Sequence, residues 1–235
     1  MLYRQRYQLN NKEKEQDAEE RFLALVSHRV RTPLNSVIGF SKLLMSGDVS
    51  AERTQEFAER IMDSGYQILQ YFQNMIDLSE VESGCIHVKP AKVNINRLLA
   101  DVTEAYKGRI EQDQYIDLYL MNNNQATTVY SDEYVVERVI SNVIELARSY
   151  INEGLVTIEY ETNKDNRIAI EIRGIRSNEL EEKNEQRDAD QNDYDYFSWK
   201  AVNKLLDLIQ GRVTHRSDSH EVVYTIVIPG ECQAW

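Results

Sequence analysis

The sequence predicts an α+β protein: a helical hairpin that forms a dimeric four-helix bundle, followed by an α/β sandwich. Three observations predict it. Apolar residues Phe22, Val26, Val30, Pro33, Val37, Phe40 and Leu44 recur at steps of three and four, which trace one stripe of a helix. Phe57, Ile61, Ile68, Phe72, Met75 and Ile76 form a second stripe, with Leu69 and Leu78 beside it. After Gly84 the pattern changes to short alternating runs interleaved with helices, as expected of a helix layer on one sheet.

The first helix begins in a polar stretch, Asn10 to Arg21, rich in the good helix formers Glu, Lys and Gln. Pro33 within its stripe predicts a kink, because proline lacks an N–H and clashes with the preceding turn. Ser46-Gly47-Asp48 ends this helix, and Ser50 is placed to cap the next, which runs from about Ala51 to Ser83. Gly84 stands where a C-terminal cap is expected. A lone hairpin has one apolar face and nothing to bury it against, so a second copy completes the bundle. The first domain is therefore residues 1–85, and the second is residues 86–235.

In the second domain Ile86-His87-Val88 reads as a short strand ended by Pro90, and Ile95 to Ile110 as a helix. Tyr115 to Leu120 and Thr128 to Tyr130 read as strands, and Asp132 to Tyr150 as a helix. Leu155 to Tyr160 and Arg167 to Ile172 are strands around an Asn163-Lys164-Asp165-Asn166 turn. Phe197 to Ile209 reads as a helix, and Arg212 to His215 and Val222 to Ile228 as closing strands. Mostly antiparallel pairing is expected.

Composition excludes several classes. At 42% hydrophobic and 28% charged, the 235 residues have the balance of an ordinary folded chain. A net charge of −12 argues against nucleic acid, whose binding needs clustered Lys and Arg. Cys85 and Cys232 have no metal-ligand spacing, so neither a metal site nor a disulfide is expected. No apolar run reaches the roughly 18–20 residues of a membrane span. Met1-Leu2-Tyr3-Arg4-Gln5-Arg6-Tyr7 reads equally as an exposed helix start or as the cytoplasmic flank of a membrane helix. The expected location is cytoplasmic, as a free protein or as the inner part of a membrane receptor.

His28 lies two residues from both Val26 and Val30, about 200° around the helix from each, so it points away from the stripe. An outward imidazole can meet another protein and act as a nucleophile near neutral pH. Its surroundings, Phe22-Leu23-Ala24-Leu25-Val26-Ser27-His28-Arg29-Val30-Arg31-Thr32-Pro33-Leu34-Asn35-Ser36-Val37-Ile38-Gly39-Phe40-Ser41, closely resemble the H-box of sensor histidine kinases. The resemblance makes His28 the phosphoacceptor and Thr32 the polar residue one turn further on, used in dephosphorylating a partner regulator. Arg29 departs from it: the family has an acid there, and Arg cannot serve as a base.

A weaker resemblance covers the second domain. Asp132 and Arg138-Val139-Ile140-Ser141-Asn142-Val143-Ile144-Glu145-Leu146-Ala147 resemble the family's N box. Asn142 matches its first Asn, a residual cofactor-binding position. The second Asn, a Mg²⁺ ligand in the family, falls on Leu146, and the adenine-reading Asp falls on Gly174. The glycines of the phosphate-cradling loops are missing, and residues 176–195 carry eight acids against three bases. Tyr194, Tyr196, Phe197 and Trp199 stand where a lid would lie and read as a plug or as packing. His87, His215 and His220 read as surface residues.

These resemblances imply two-component signal transduction, with a phosphoryl group accepted or relayed on His28 and an impaired ATP site, so no cofactor is firmly expected. One alternative is an active sensor histidine kinase that uses ATP and Mg²⁺ and phosphorylates a response regulator. Another is a non-catalytic dimerisation or binding module. The implied partners are a response regulator receiver domain and a second copy of the chain, with a membrane sensor in any longer parent chain.

Overall fold

The computed structural model of the chain describes residues 27–47, 49–110, 116–121, 127–151, 153–162, 167–177 and 188–230, with the side chains of 107–110 and 188–197 excepted. The turn read at Asn163–Asn166, the start of the first helix and Cys232 lie outside them. The chain divides into two compact units, residues 1–72 and 73–235. The sequence reading placed its domain boundary near residue 86, at the end of a helix; the units divide within that helix.

In the first unit α1 spans residues 27–45 and runs unbroken through Pro33. A proline there costs one hydrogen bond, to the Arg29 carbonyl, without ending the helix. After a turn at Ser46 and Gly47 the chain enters α2, Ala51–Glu82. Ser50 caps α2, its Oγ accepting the Arg53 N–H at 3.4 Å. Phe40 meets Phe57 with ring centroids 5.4 Å apart, so α1 folds back on α2. The two stripes read from the sequence are partly buried here, at Val30, Val37, Phe40 and Leu44 and at Phe57, Ile61 and Ile68. Phe72 of the second stripe stays exposed, together with Leu34, Ile38, Met62, Tyr66 and Leu69. The first stripe and the start of the second thus close the hairpin on itself, while Phe72 of the second stripe and Leu69 beside it belong to the exposed set left for any partner.

In the second unit α2 ends at Gly84, whose φ of 69° lies in the left-handed region that favours a residue without a Cβ. The Cys85 N–H reaches the Glu80 carbonyl and the Gly84 N–H the Val81 carbonyl, the paired bonds of a Schellman cap. The strand expected at Ile86–Val88 is not one. Residues 85–90 are irregular, with Ile86 and Val88 packed on the core as side chains. The first strand is β1, Ala91–Asn94, beginning just after Pro90, where a donor is available again. Then follow α3 (Ile95–Ile110), β2 (Ile116–Leu120), β3 (Thr128–Ser131), α4 (Glu133–Ile151), β4 (Gly154–Thr162), β5 (Arg167–Arg176), α5 (Asp188–Leu208), β6 (Arg212–Ser217) and β7 (Glu221–Pro229).

β1 and β3 make a two-stranded antiparallel ribbon, and the main sheet has the order β2-β4-β5-β7-β6. β2 and β4 are parallel, and every other pair in that sheet is antiparallel. Alternate residues of β4, β5 and β7, such as Ile158, Ile170 and Ile226, pack beneath Val139, Ile140, Val143 and Ile144 of α4. α5 starts nine residues before the Phe197 expected from the sequence, so part of the acidic segment taken for a loop is helix. Its end is closed by Gln210 at φ 55° and a Gly211 N–H to Leu206 carbonyl bond of 2.9 Å. Gly211 rather than Gln210 holds the glycine because a Cβ there would meet Leu206 at 2.6 Å.

Candidate functional site

Two places carry the residues singled out by the sequence, one in each unit. On α1, Ser27 and His28 are exposed while Arg29 is only 9% exposed. Successive residues lie about 100° apart on a helix, so an outward His28 turns its neighbour inward. Thr32 is exposed one turn later, its hydroxyl donating to the His28 carbonyl at 3.4 Å. The structure therefore brings His28 and Thr32 together on one open face. It takes Arg29 off that face and into the hairpin, on the side where Pro33 is buried. A guanidinium in that position cannot act as a surface charge beside the imidazole.

In the second unit, α4 is started by Asp132. Its Oδ1 accepts the Val135 N–H at 3.1 Å, and its Oδ2 accepts the Lys89 N–H at 2.7 Å. The first carboxylate oxygen caps the helix, and the second fastens the segment leading into β1. Asn142 is wholly buried, and Leu146, one turn on, is 1% exposed within the main core. Gly174 of β5 lies against the same helix. A Cβ there would meet Ile151 Cγ2 at 2.9 Å, the Ala147 carbonyl oxygen at 3.1 Å and Val222 Cγ1 at 3.2 Å. The positions matched to the N box and to the adenine-reading acid thus converge, but on hydrocarbon and backbone. An aspartate side chain has no room at Gly174 while β5 keeps this distance from α4.

Arg176 stands two residues beyond Gly174. Its Nε and Nη2 donate to the Tyr150 carbonyl at 3.1 and 2.8 Å, and its guanidinium lies 4.3 Å from the centre of the Tyr150 ring. The Tyr150 hydroxyl donates to the Asp218 carbonyl in the β6–β7 turn. The Asp218 carboxyl is held below its usual pKa, first by the His220 N–H and then by that of Glu221. These contacts tie together the end of α4, the end of β5 and the β6–β7 turn.

Three groups went unnoticed in the sequence. Asp77, wholly buried near the end of α2, takes Arg138 Nε and Nη2 on Oδ2 at 3.0 and 2.8 Å. Its Oδ1 takes Gln73 at 3.0 Å and the Tyr134 hydroxyl at 3.4 Å. Tyr134 has a raised pKa, from desolvation first and then from the Asp77 charge. Asn74, 1% exposed, donates to Ser198 Oγ at 3.0 Å. The available signal was a pair of polar residues, Asn74 and Asp77, at helical spacing with Leu78 and Val81. Trp199 packs edge-on against His215 with centroids 4.9 Å apart, and His215 stacks on Tyr224 at 5.8 Å, so His215 is exposed yet packed. The side chains of Tyr194, Tyr196 and Phe197 lie outside the described residues. Among the described residues no group of three or more His, Cys, Asp or Glu is placed to hold a metal, and no helix is long and apolar enough to cross a membrane.

A hairpin presenting an open histidine, followed by helices on one face of a mixed sheet, is the arrangement of histidine kinase signalling proteins. Residues 18–84 match the His Kinase A (phospho-acceptor) domain. The chain is 27% identical over 160 residues to the cell-division control histidine kinase PdhS of Brucella anthropi, covering 66% of this chain and 15% of that protein. Against PdhS of Brucella ovis it is 26% identical over 169 residues, covering 69% and 16%. Its fold is similar to that of the Acinetobacter baumannii histidine kinase AdeS, with a TM-score of 0.55, 17% identity and coverage of 86% of this chain and 98% of that one. It is also similar to full-length ShkA in complex with AMPPNP, with a TM-score of 0.58, 19% identity and coverage of 92% and 47%. For histidine kinase ThkA in complex with the response regulator TrrA the values are 0.57, 18%, 94% and 66%. Residues 18–84 thus carry a phospho-acceptor domain of the His Kinase A type, and the chain as a whole is similar to histidine kinases of two-component signal transduction. It spans about 15% of the length of the curated relatives it matches.

Proposed function

We propose that this chain accepts and relays a phosphoryl group on His28, and that its sandwich does not use ATP efficiently. The observation that carries the reading is the contrast between the two places. His28 and Thr32 share an open helix face, while the positions that would take Mg²⁺ and adenine hold a core leucine and a glycine with no space around it. An apolar side chain cannot ligate a hard cation, so the residues present do not fit the metal–nucleotide complex. The phosphoryl group then comes from a phosphorylated response regulator or another kinase. An imidazole nitrogen forms the N–P bond as the donor's P–O bond breaks, and the donor oxygen keeps the electron pair. Nothing acidic at position 29 assists hydrolysis, which favours onward transfer over loss to water.

The working form is a homodimer. Leu34, Ile38, Met62, Tyr66, Leu69 and Phe72 are an exposed apolar set on one hairpin, larger than scattered surface hydrophobes. The neighbour solved with a response regulator supports a receiver domain as the second partner. A second reading, an ATP-dependent autokinase, is favoured by Asn142 at its N-box position and by the neighbour solved with AMPPNP.

Two measurements decide. Incubation with a phosphorylated receiver domain should label the chain, and His28→Ala should abolish the label. Calorimetric titration with ATP and Mg²⁺ should show binding no tighter than about millimolar, worth roughly 4 kcal/mol. A micromolar constant would establish the autokinase reading, and absence of any label from receivers of the same cell would leave a binding module.

A further inference from the structure

β6 is an outer strand of the main sheet. It pairs with β7 on one side and with no strand among the described residues on the other. A strand edge of this kind leaves backbone N–H and C=O groups free for an added strand. Arg212, Thr214 and Arg216 are exposed at alternate positions of β6, on the face of the sheet away from the helices, since Val213 between them packs on the core. The chain has a net charge of −12, so two arginines on one short edge run against its general charge. We propose that the β6 edge is a docking site for an extended acidic segment of another protein, which joins the sheet as a further strand with carboxylates at alternate positions.

The arginines are available to such carboxylates. The Arg212 side chain makes no hydrogen bond or ion pair with the described residues. Arg216 reaches only Glu221, at 3.9 Å, and Glu221 is held more closely by Arg173, at 3.2 Å. Alternate residues of a strand recur about every 7 Å, so an added strand brings carboxylates opposite or diagonal to both arginines, with the Thr214 hydroxyl between them. On the other face of β6, His215 packs against Trp199 with centroids 4.9 Å apart and against Tyr224 at 5.8 Å. Trp199 is partly exposed there. The residues between the carboxylates of the added strand turn to this aromatic side, so the segment that fits alternates acidic with apolar residues.

A second copy of the sheet is a poorer occupant. Two β6 strands paired with each other would set arginines near arginines, and like charges on facing strands oppose pairing. The other outer strand, β2, carries Asp117 and then Tyr119 at its exposed alternate positions, one carboxylate where the β6 arginines match two. Arginines on a strand edge also serve as guards against pairing, and a guard predicts that no acidic strand binds.

Fluorescence polarisation on the full chain tests this with a short labelled synthetic peptide of alternating glutamate and leucine between glycine ends. The peptide should bind more tightly than about millimolar. Amide hydrogen exchange in residues 212–217 should slow when it binds, while α4 is unchanged. Arg212→Glu with Arg216→Glu should weaken binding by roughly tenfold or more, and Arg212→Lys with Arg216→Lys should keep it within about threefold of the wild type. A peptide of the same composition with its glutamates in one run should bind roughly tenfold less tightly, because its carboxylates then fall on both faces. Equal binding of the two peptides, or equal binding by the glutamate variant and the wild type, would overturn the site, as would exchange in 212–217 that the peptide leaves unchanged. Binding no tighter than about millimolar would make the arginines guards of the edge and overturn the docking role.

Discussion

Leu146→Asn places at the metal-ligand position of the N box the residue type that the family carries there. From this structure it should not create a nucleotide site, and it should weaken the fold. Leu146 is 1% exposed and part of the main core. Removing it forfeits the burial of a leucine, about 1.5–3 kcal/mol. The amide that replaces it must find partners among hydrocarbon or bear a penalty of about 1–3 kcal/mol. The sum, about 2.5–6 kcal/mol, is a large part of the roughly 5–15 kcal/mol typical of a folded protein. Gly174 remains hemmed by Ile151, Ala147 and Val222, so the adenine position stays closed. Urea unfolding followed by far-UV circular dichroism reads the first effect, and calorimetric titration with ATP and Mg²⁺ reads the second. Micromolar nucleotide binding by Leu146→Asn, with stability within about 0.5 kcal/mol of the wild type, would refute the view that core packing fills the site.

Phe72→Glu should convert the homodimer into a monomer with its helix content retained. Phe72 is 48% exposed in the single hairpin, so the charge costs little until a partner covers it; light scattering at micromolar concentration distinguishes the states. Tyr134 has a folded pKa raised above that of the unfolded chain, by desolvation and then by Asp77. Its contribution to stability is therefore complete below about pH 10 and is lost as pH rises through the folded value. Tyr134→Phe should flatten the fall of stability in that alkaline window, and a parallel fall in both proteins would show that Tyr134 does not contribute to it.

The helices were legible because each carries its own signal. Ser50 and Asp132 are caps whose bonds are local, Gly84 ends α2, and the apolar spacing of α4 matches its buried face. What escaped was everything decided by a partner far along the chain. Ile86 and Val88 alternate like a strand, yet strand pairing begins at Ala91, because β3 offers its register only to Ala91–Asn94. The sequence stripes of the first unit could not say whether they meet each other or a second copy, since both uses leave the same periodicity. Arg29 was read as a neighbour of His28 along the chain, and one residue of helical rotation puts it inside. Asp77 gave no signal of its own, because its meaning depends on Arg138, 61 residues later.

The two halves of the site differ in what they ask of the surrounding protein. A phosphoacceptor needs one imidazole on an exposed helix face, and a helix supplies that wherever the apolar stripe lies on the other side. Arg29 can replace an acid without disturbing it, because its side chain leaves the face that His28 occupies. A nucleotide site needs absent atoms: room beside β5, backbone approach at glycines, and a polar side chain kept out of a core that would rather be apolar. Each of those vacancies costs packing, which large-to-small core substitutions put at kilocalories per side chain. Here Leu146 fills the core, Gly174 brings β5 up to Ala147 and Ile151, and Arg176 ties the strand end to Tyr150. On the proposed reading, the same packing that disfavours ATP lets the sandwich stand without a ligand, and the phosphoryl traffic then depends on α1 alone.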